Sequence, residues 1–229
     1  MVGQPLPVRA ACLSVLIREM TLGPAPAMST APITPGQPAR TRPLVANIAN
    51  ALAFQLGWFA CVLGAANDAT WLGVGVVVLV VAVQVAVAPR PVGEAALMGL
   101  ALLLGAAFET ALIVSGGVVH LGSPAFPPAW MLALWPLFAG TLNRSMGWLQ
   151  GRWMLAALLG GVAGPLSYWA GARLGALQVG DPVVFVAVLA TGWAVLTPLL
   201  AHHARRLAGD VAPGQPVAVS RAALPGGSQ

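Results

Sequence analysis

The chain has 229 residues, of which 58% are hydrophobic and only 7% are charged, and its formal net charge at pH 7 is +5. A soluble domain carries roughly 25% charged residues, so this composition predicts a protein whose solvent is lipid. The arginines are spread over the ends of apolar stretches and form no basic face, which excludes a nucleic-acid-binding surface and predicts no nucleic-acid partner.

The first 43 residues contain eight of the twenty prolines. This composition predicts a disordered, Pro-rich cytoplasmic tail over residues 1–43. Residues 44–202 contain six apolar stretches, numbered here as spans one to six, and predict a single transmembrane domain. The spans are Leu44–Leu63, Trp71–Ala88, Ala95–Val119, Phe126–Leu142, Trp153–Ala172 and Pro182–Ala201. Residues 203–229 are rich in Pro, Gly and Ala and predict a second disordered tail.

The lengths of the spans and the positions of the arginines predict the topology. A helix needs about 20 residues to cross ~30 Å of hydrocarbon, and only span four, which contains Pro136, is short. With both termini in the cytoplasm, ten of the eleven arginines lie inside and Arg173 alone lies outside. This bias follows the positive-inside rule. The sequence therefore predicts an all-α, six-helix bundle in a membrane, with both termini cytoplasmic.

Span three carries one acid, Glu109, within the run MGLALLLGAAFETALIVSGGVV at residues 98–119. An ionisable group there costs about 2.5–3.5 kcal/mol on insertion, so it is expected to face protein or water. Gly105 and Gly116 lie within about 40° of Glu109 around a helix, which predicts a face that another helix can approach closely. Glu109 is then either a structural link between helices or a group that carries a proton or contacts a substrate. A wrongly assigned span is the third interpretation.

Further polar side chains of the spans are expected to gather with Glu109. They predict a buried polar site that opens toward the cytoplasm, with Glu109 as its floor. The other members of the predicted site are Asn47, Asn50, Gln55, Gln84, Asn143 and Arg144. The alternative is that these groups form hydrogen bonds between helices, each of which contributes only ~0.6–2 kcal/mol.

Span five contains small residues at spacings of four, three and four, which places them on one helix face. This small-residue stripe consists of Gly160, Gly164, Ser167 and Gly171. Such a stripe predicts close packing against another helix. Pro165 removes a backbone donor within the same span and predicts a kink.

Signatures of catalysis are largely missing from the sequence. Three histidines are too few for the histidine clusters of membrane di-iron enzymes, and Cys12 and Cys61 lack metal-ligand spacing. The sequence also lacks the nucleotide-binding and hydrolase motifs G-x-G-x-x-G at a strand-to-helix turn, H-E-x-x-H and G-x-S-x-G. We therefore predict no metal site and no cofactor, assign no catalytic residue, and regard an enzyme as the less favoured class.

Three longer motifs remain, and they read NALAFQLGWFACVLGAANDATWLG (50–73), TLNRSMGWLQ (141–150) and GPLSYWAGARLGA (164–176). They resemble the bacterial membrane family called domain of unknown function 2878, over residues 44–202. The residues that match the family pattern are Asn50, Phe54, Gln55, Trp58, Gly64, Trp71, Asn143, Trp148, Pro165, Ser167, Tyr168 and Arg173. The resemblance implies a multi-pass protein of the bacterial inner membrane and no particular activity, because none is established for the family. Members are sometimes encoded beside lipid-modifying enzymes.

Together these features favour a small-molecule or lipid transporter, or a binding component, with a buried polar site around Glu109. The alternative is a non-catalytic scaffold, or an accessory subunit of a lipid-modifying enzyme, that binds a membrane partner or a second copy through the small-residue stripe. A third hypothesis is an intramembrane enzyme in which Glu109 and Tyr168 act as acid and base. Transport requires a polar cavity that reaches Glu109, a scaffold requires a filled interior and an exposed stripe, and an enzyme requires Glu109 and Tyr168 within hydrogen-bond reach.

Overall fold

The computed structural model describes residues 41–119 and 126–208, and within these ranges the chain is a helical bundle. The helices are α1 (Thr41–Ala66), α2 (Thr70–Ala86), α3 (Pro91–Val114), α4 (Ala129–Leu142), α5 (Trp153–Arg173) and α6 (Pro182–Ala208). Two short strands, β1 (Val118–Val119) and β2 (Gln178–Val179), and a 3₁₀ turn at Gly147–Leu149 lie between helices. The predicted all-α membrane fold is confirmed.

Parts of the predicted tails and of one loop lie outside the described residues. These parts are residues 1–40, 120–125 and 209–229, which include Cys12, His120 and four of the arginines. Within the described ranges, α1 begins before the predicted boundary at residue 44 and α6 continues past residue 202 to Ala208. Residues 203–208 therefore extend the last helix.

Four helices are long and apolar enough to cross a membrane. They cover Leu44–Ala66, Pro91–Val114, Trp153–Arg173 and Pro182–Leu207. The helices α2 and α4 are apolar but shorter, with 17 and 14 residues. Large apolar side chains cover the outside of the bundle, for example Leu79, Leu103 and Met154, which are 66%, 72% and 89% exposed. Such a surface matches lipid as the solvent, so the chain is a multi-pass membrane protein.

The short helix α4 lies at the centre of the bundle. It packs against α1, α2, α3 and α6, and eight of its 14 residues are buried, including Trp130, Trp135 and Leu137. The helix α5, in contrast, packs mainly against α6, and α1 packs against α2 and α4. As a result, α1 and α5 do not pack against each other along their lengths within the described part of the chain.

Two glycines end α3 and α5 and place β1 beside β2. Gly116 and Gly175 have φ values of +77° and +88°, which favour glycine because it has no Cβ. The backbone N–H of the residue after each glycine bonds back into the helix, to Leu112 O and Gly171 O, in the manner of a Schellman cap. The third helix therefore ends at Val114, before the predicted end of span three at Val119. Val118 then pairs with Val179 in an antiparallel ladder.

The two ends of the bundle differ in charge. The end that carries the strands is called the β end, and the opposite end is called the arginine end. At the arginine end the guanidinium of Arg144 donates to the Gln84 carbonyl oxygen at 2.7 Å, which joins the loop after α4 to the end of α2. Arg90, Arg152, Arg205 and Arg206 also flank helices at this end, whereas Arg173 closes α5 at the β end.

Reporter fusions test the orientation predicted from this charge difference. Fusions after residues 67, 122 and 179 should report the periplasm, and fusions after residues 92, 148 and 207 should report the cytoplasm, because arginine-rich segments are retained inside. Paired alkaline phosphatase and green fluorescent protein reporters provide the measurement, with each fusion point serving as the control for its neighbours. A cytoplasmic signal after residue 67, 122 or 179 would contradict six alternating crossings.

Candidate functional site

Glu109 lies in the last two turns of α3 and joins three helices. Its side chain is fully buried, and its Oε1 accepts a hydrogen bond of 3.1 Å from the indole N–H of Trp135 on α4. The same oxygen accepts a hydrogen bond from the hydroxyl of Tyr168 on α5. The second oxygen, Oε2, has no hydrogen-bond partner among the described residues. The carboxyl group therefore connects α3, α4 and α5 through two uncharged donors.

Glycines explain how large aromatic rings reach this carboxyl group. A Cβ on Gly105, one turn before Glu109, would lie 2.2 Å from Trp135 Cδ2. A Cβ on Gly192 would lie 2.1 Å from Phe108 Cε2 in the same way. Because glycine leaves these spaces empty, the indole ring rests directly on the backbone of α3. Gly105, one of the two glycines predicted beside Glu109, thus receives the ring of Trp135, whereas Gly116 lies past the end of α3 with open space where a Cβ would be.

Five rings form an aromatic cluster around the carboxyl group. Trp135 stacks on Trp193 of α6 with ring centroids 4.9 Å apart and planes inclined by 16°. Phe108 and Phe138 meet these indoles edge-on at 5.9 and 5.2 Å. Tyr168 lies edge-on to Trp193 at 6.5 Å. The cluster encloses Glu109 and holds the Tyr168 hydroxyl in place.

A cavity of about 440 Å³ lies in front of this cluster. Side chains of α1, α4, α5 and α6 line it, so it occupies the space between the helices α1 and α5 that do not pack together. Its wall is mainly apolar and aromatic, with Phe54, Trp58, Trp130, Trp135, Phe138 and Trp193 as the large rings. Gln55, Ala163 and Leu166 are exposed residues of the same wall and mark its opening toward the lipid side.

The polar groups of the cavity wall are uncharged. They belong to Gln55, Ser167, Tyr168 and Thr197 and to the indole N–H groups of Trp58, Trp130, Trp135 and Trp193. Ser167 donates to the Gly164 carbonyl oxygen at 2.8 Å, whereas Trp193 Nε1 and Thr197 Oγ1 are buried and have no partner in the part of the chain that the structure describes. Arg, Lys, His, Asp and Glu do not occur among the residues of this wall. The cavity thus offers neutral hydrogen-bond groups within an apolar surface.

A second group of polar residues, the arginine-end network, lies apart from this cavity. Asn50 donates to the Gly140 carbonyl oxygen at 3.1 Å and accepts from the Ser145 hydroxyl at 2.6 Å. Asn143 donates to Glu94 at 2.9 Å and accepts from Gln150 at 3.0 Å. These bonds join α1, α3, α4 and the loop before α5.

Gln84 and Glu94 are the most buried members of the arginine-end network. Each is 5% exposed. The amide atoms of Gln84 and one oxygen of Glu94 lack partners within the described residues, and a Cβ on Gly140 would lie 1.9 Å from Gln84 Oε1. Gln84 is therefore wedged against α4 by close packing. Three or more His, Cys, Asp or Glu side chains do not cluster to form a metal site in the described ranges.

The structure places the seven residues of the predicted polar site in four different surroundings. Asn50, Gln84, Asn143 and Arg144 belong to the arginine-end network, and Glu109 lies beneath the cavity with Tyr168 and Trp135. Gln55 lines the cavity, and Asn47 is exposed on α1. A single inward-opening polar site with Glu109 as its floor is therefore not formed, because Glu109 faces the aromatic cluster and not the arginine-end network.

The small-residue stripe of α5 packs against α6 of the same chain. A Cβ on Gly160 would lie 2.3 Å from Thr197 Oγ1, and a Cβ on Gly164 would lie 2.3 Å from Trp193 Cγ. Gly171 is buried near Leu177. The sixth helix of the chain thus covers Gly160 and Gly164, while all four residues of the stripe also border the cavity.

Trp135, Trp193 and Glu94 were not singled out from the sequence. The two tryptophans stand inside apolar stretches, where an indole N–H requires an acceptor that lipid does not provide. This need for an acceptor was the signal in the sequence that could have identified both tryptophans. Glu94 follows Pro91, a residue typical of the first helical position, so the start of α3 before Glu94 was also readable.

Comparison with known proteins gives one match. The model of the family described as "Protein of unknown function (DUF2878)" matches residues 47–199. This range includes Glu109, Tyr168 and the whole cavity wall. No curated protein and no solved structure matches the chain.

Two substitutions at Glu109 test the link between the three helices. Glu109→Gln keeps an acceptor oxygen and the size of the side chain, so we expect nearly unchanged thermal stability. Glu109→Leu leaves two buried donors without an acceptor, which should cost about 1–3 kcal/mol for each donor. Thermal unfolding in detergent, followed by near-ultraviolet circular dichroism, measures both variants. Equal stability of the Leu and Gln variants would contradict a stabilising role for these hydrogen bonds.

Proposed function

We propose that this chain, which belongs to the DUF2878 family of proteins of unknown function, binds an uncharged lipid in the cavity between α1 and α5. The observation that carries the proposal is the cavity itself, about 440 Å³ in volume and lined mainly by apolar and aromatic side chains. Ligand sites typically enclose 300–1,000 Å³ with a few placed polar groups, which is the character of this wall. The protein acts as a lipid-binding or lipid-handling component of its membrane.

The position of the opening supports entry from the bilayer. The helices α1 and α5 border the cavity and do not pack against each other along their lengths in the described structure. Ala163 and Leu166 of α5 are exposed beside it. Because these groups face the hydrocarbon region, a lipid enters sideways without crossing a polar barrier.

The chemistry of the wall supports a neutral ligand. A charged head group in an apolar cavity requires a counter-charge, since the cost of burying a lone charge is several kcal/mol or more. The residues that line this cavity carry no formal charge, and the one carboxyl group behind them already accepts two hydrogen bonds. The wall therefore favours an uncharged lipid over a phospholipid head group or a polar solute.

The same features weigh against the two other roles considered from the sequence. Transport of a polar solute lacks a polar path, because Glu109 is separated from the arginine-end network. A scaffold that binds through the stripe lacks a free face, because α6 covers Gly160 and Gly164. We place the protein in the bacterial inner membrane with cytoplasmic termini, in accordance with the arginine bias. The predicted domain, residues 44–202, contains every residue that this function requires.

Filling the cavity tests the proposal. Ala163→Phe projects a ring into the space that a lipid occupies, whereas Leu103→Phe places the same ring on the lipid-facing side of α3 as a matched control. We expect the Leu103→Phe protein to retain the co-purified neutral lipid of the wild type, and the Ala163→Phe protein to retain about tenfold less. Organic extraction and mass spectrometry of protein purified in mild detergent give the amounts. Equal retention by both variants would overturn binding at this cavity.

A second candidate function is an intramembrane enzyme that acts on the bound lipid. Its basis is the hydrogen bond from Tyr168, a residue of the cavity wall, to Glu109. In general acid–base catalysis, Tyr168 transfers a proton to or from the lipid while Glu109 exchanges a proton with Tyr168. Tyr168 lies between the cavity and the carboxyl group, which is the position that this proton transfer requires.

Complementation of a deletion strain separates catalysis from binding. In an enzyme, Glu109→Gln removes the group that exchanges the proton, so the variant should accumulate the substrate lipid and lose its product despite normal folded yield. In a binding protein, Glu109→Gln restores the wild-type lipid profile. Lipid profiling by mass spectrometry gives the result, and the Leu103→Phe protein serves as the folded control. A wild-type profile with Glu109→Gln would end the catalytic version of the proposal.

A further inference from the structure

Two hydrogen-bond donors in the cavity wall lack partners. The hydroxyl Oγ1 of Thr197 and the indole Nε1 of Trp193 are both buried and form no hydrogen bond of ordinary geometry within the described residues, although the indole lies beside the Tyr168 side chain. Both residues line the cavity and stand four positions apart on α6, so they lie on the same helix face about 6 Å apart along its axis. The two donors therefore lie on the side of α6 that borders the cavity, just beneath its surface.

The unpaired state of Thr197 is unusual within this structure. The hydroxyls of Thr110, Thr141 and Ser167 each donate to a backbone carbonyl oxygen of their own helix, at 2.7–2.8 Å. This local bond is the ordinary way for a hydroxyl to be satisfied inside a membrane helix. Thr197 is only 2% exposed and makes no such bond. Its hydroxyl is left for a partner that is not part of the helix.

The missing partner is an acceptor and is uncharged. An indole N–H donates only, so Trp193 requires an acceptor, and a threonine hydroxyl is able to donate to the same atom. A carbonyl oxygen has two lone pairs and brings no donor of its own, so it satisfies both groups and leaves nothing unpaired. A ligand hydroxyl would add a donor that needs a further acceptor, and a carboxylate would bring a charge that this wall does not balance.

We propose that the lipid bound in the cavity carries an uncharged carbonyl group whose oxygen accepts hydrogen bonds from Trp193 and Thr197. The inference rests on the proposed lipid-binding function and adds the chemical class of the head group. The apolar chain of the lipid lies among the aromatic side chains of the wall, and the carbonyl group lies against α6. Gly160 permits this arrangement, because a side chain there would collide with Thr197 Oγ1.

Four compounds with the same chain length test the head group. Pentadecan-2-one carries a carbonyl group, pentadecan-1-ol a hydroxyl, pentadecane neither, and pentadecanoate a charge. Displacement of a pyrene-labelled alkane from the protein in nanodiscs gives their relative affinities. We expect the ketone to bind about 3- to 10-fold more tightly than the alkane, which corresponds to one or two net hydrogen bonds.

Variants then assign the preference to the two donors. Thr197→Val keeps the shape of the side chain and Trp193→Phe keeps an aromatic ring, so each should reduce the preference for the ketone and leave the affinity for pentadecane unchanged. Thr141→Val is the matched control, because Thr141 is equally buried and lies outside the cavity wall. It should retain the full preference.

The outcomes separate this inference from the function on which it rests. If wild type binds all four compounds but prefers the carboxylate or alcohol, or if both variants retain the preference for the ketone, the carbonyl assignment is wrong and lipid binding stands. If wild type binds none of the compounds and Ala163→Phe retains its co-purified lipid, the proposed function itself fails.

Discussion

The carboxyl group of Glu109 is the point on which the interior of this bundle depends. Lipid offers no water to satisfy a buried donor, so the Trp135 indole and the Tyr168 hydroxyl need an acceptor from the protein. Glu109 supplies it with one oxygen. Since α5 otherwise packs mainly on α6, this bond ties α5 to α3 and α4. The wall of the cavity follows from that connection.

Close packing around glycine creates the rest of the site. Between membrane helices the hydrophobic effect provides little attraction, and van der Waals contact replaces it. Gly105 and Gly192 admit the rings of Trp135 and Phe108, and Gly164 admits Trp193. The rings fill the space between α3, α4 and α6 but leave the region between α1 and α5 open. An opening of this kind toward the bilayer is suited to a lipid, because the molecule exchanges one apolar surface for another.

The two polar regions of the bundle differ in chemistry. The arginine-end network contains charged groups, Glu94 and Arg144, and many of its bonds end on backbone carbonyl oxygens or on other members of the network. It joins helix ends where water and lipid head groups are close. The cavity contains neutral donors without protein partners, and beneath them one oxygen of Glu109 already accepts two hydrogen bonds. Hydrogen bonds within the arginine-end network stabilise the structure, whereas unpaired donors in the apolar cavity wall favour ligand binding.

The sequence by itself determined the solvent, the helical class and the presence of six helices, because charge content and the length of apolar runs depend on the chain alone. It also marked Glu109, since a carboxyl group within an apolar run needs a partner, and Tyr168 as its counterpart in one hypothesis. Only the tertiary structure decided that Trp135 and Tyr168 are the partners, that Asn50 and Gln84 belong elsewhere, and that α6 packs on Gly160 and Gly164 of the small-residue stripe. The physical reason is that these helices are apolar on every side, so their sequences do not show which faces meet. Two kinds of contact determine which faces meet. Aromatic rings pack into the spaces that glycines leave, and Trp135 and Tyr168, which lie 26 and 59 residues from Glu109 in the sequence, donate hydrogen bonds to it.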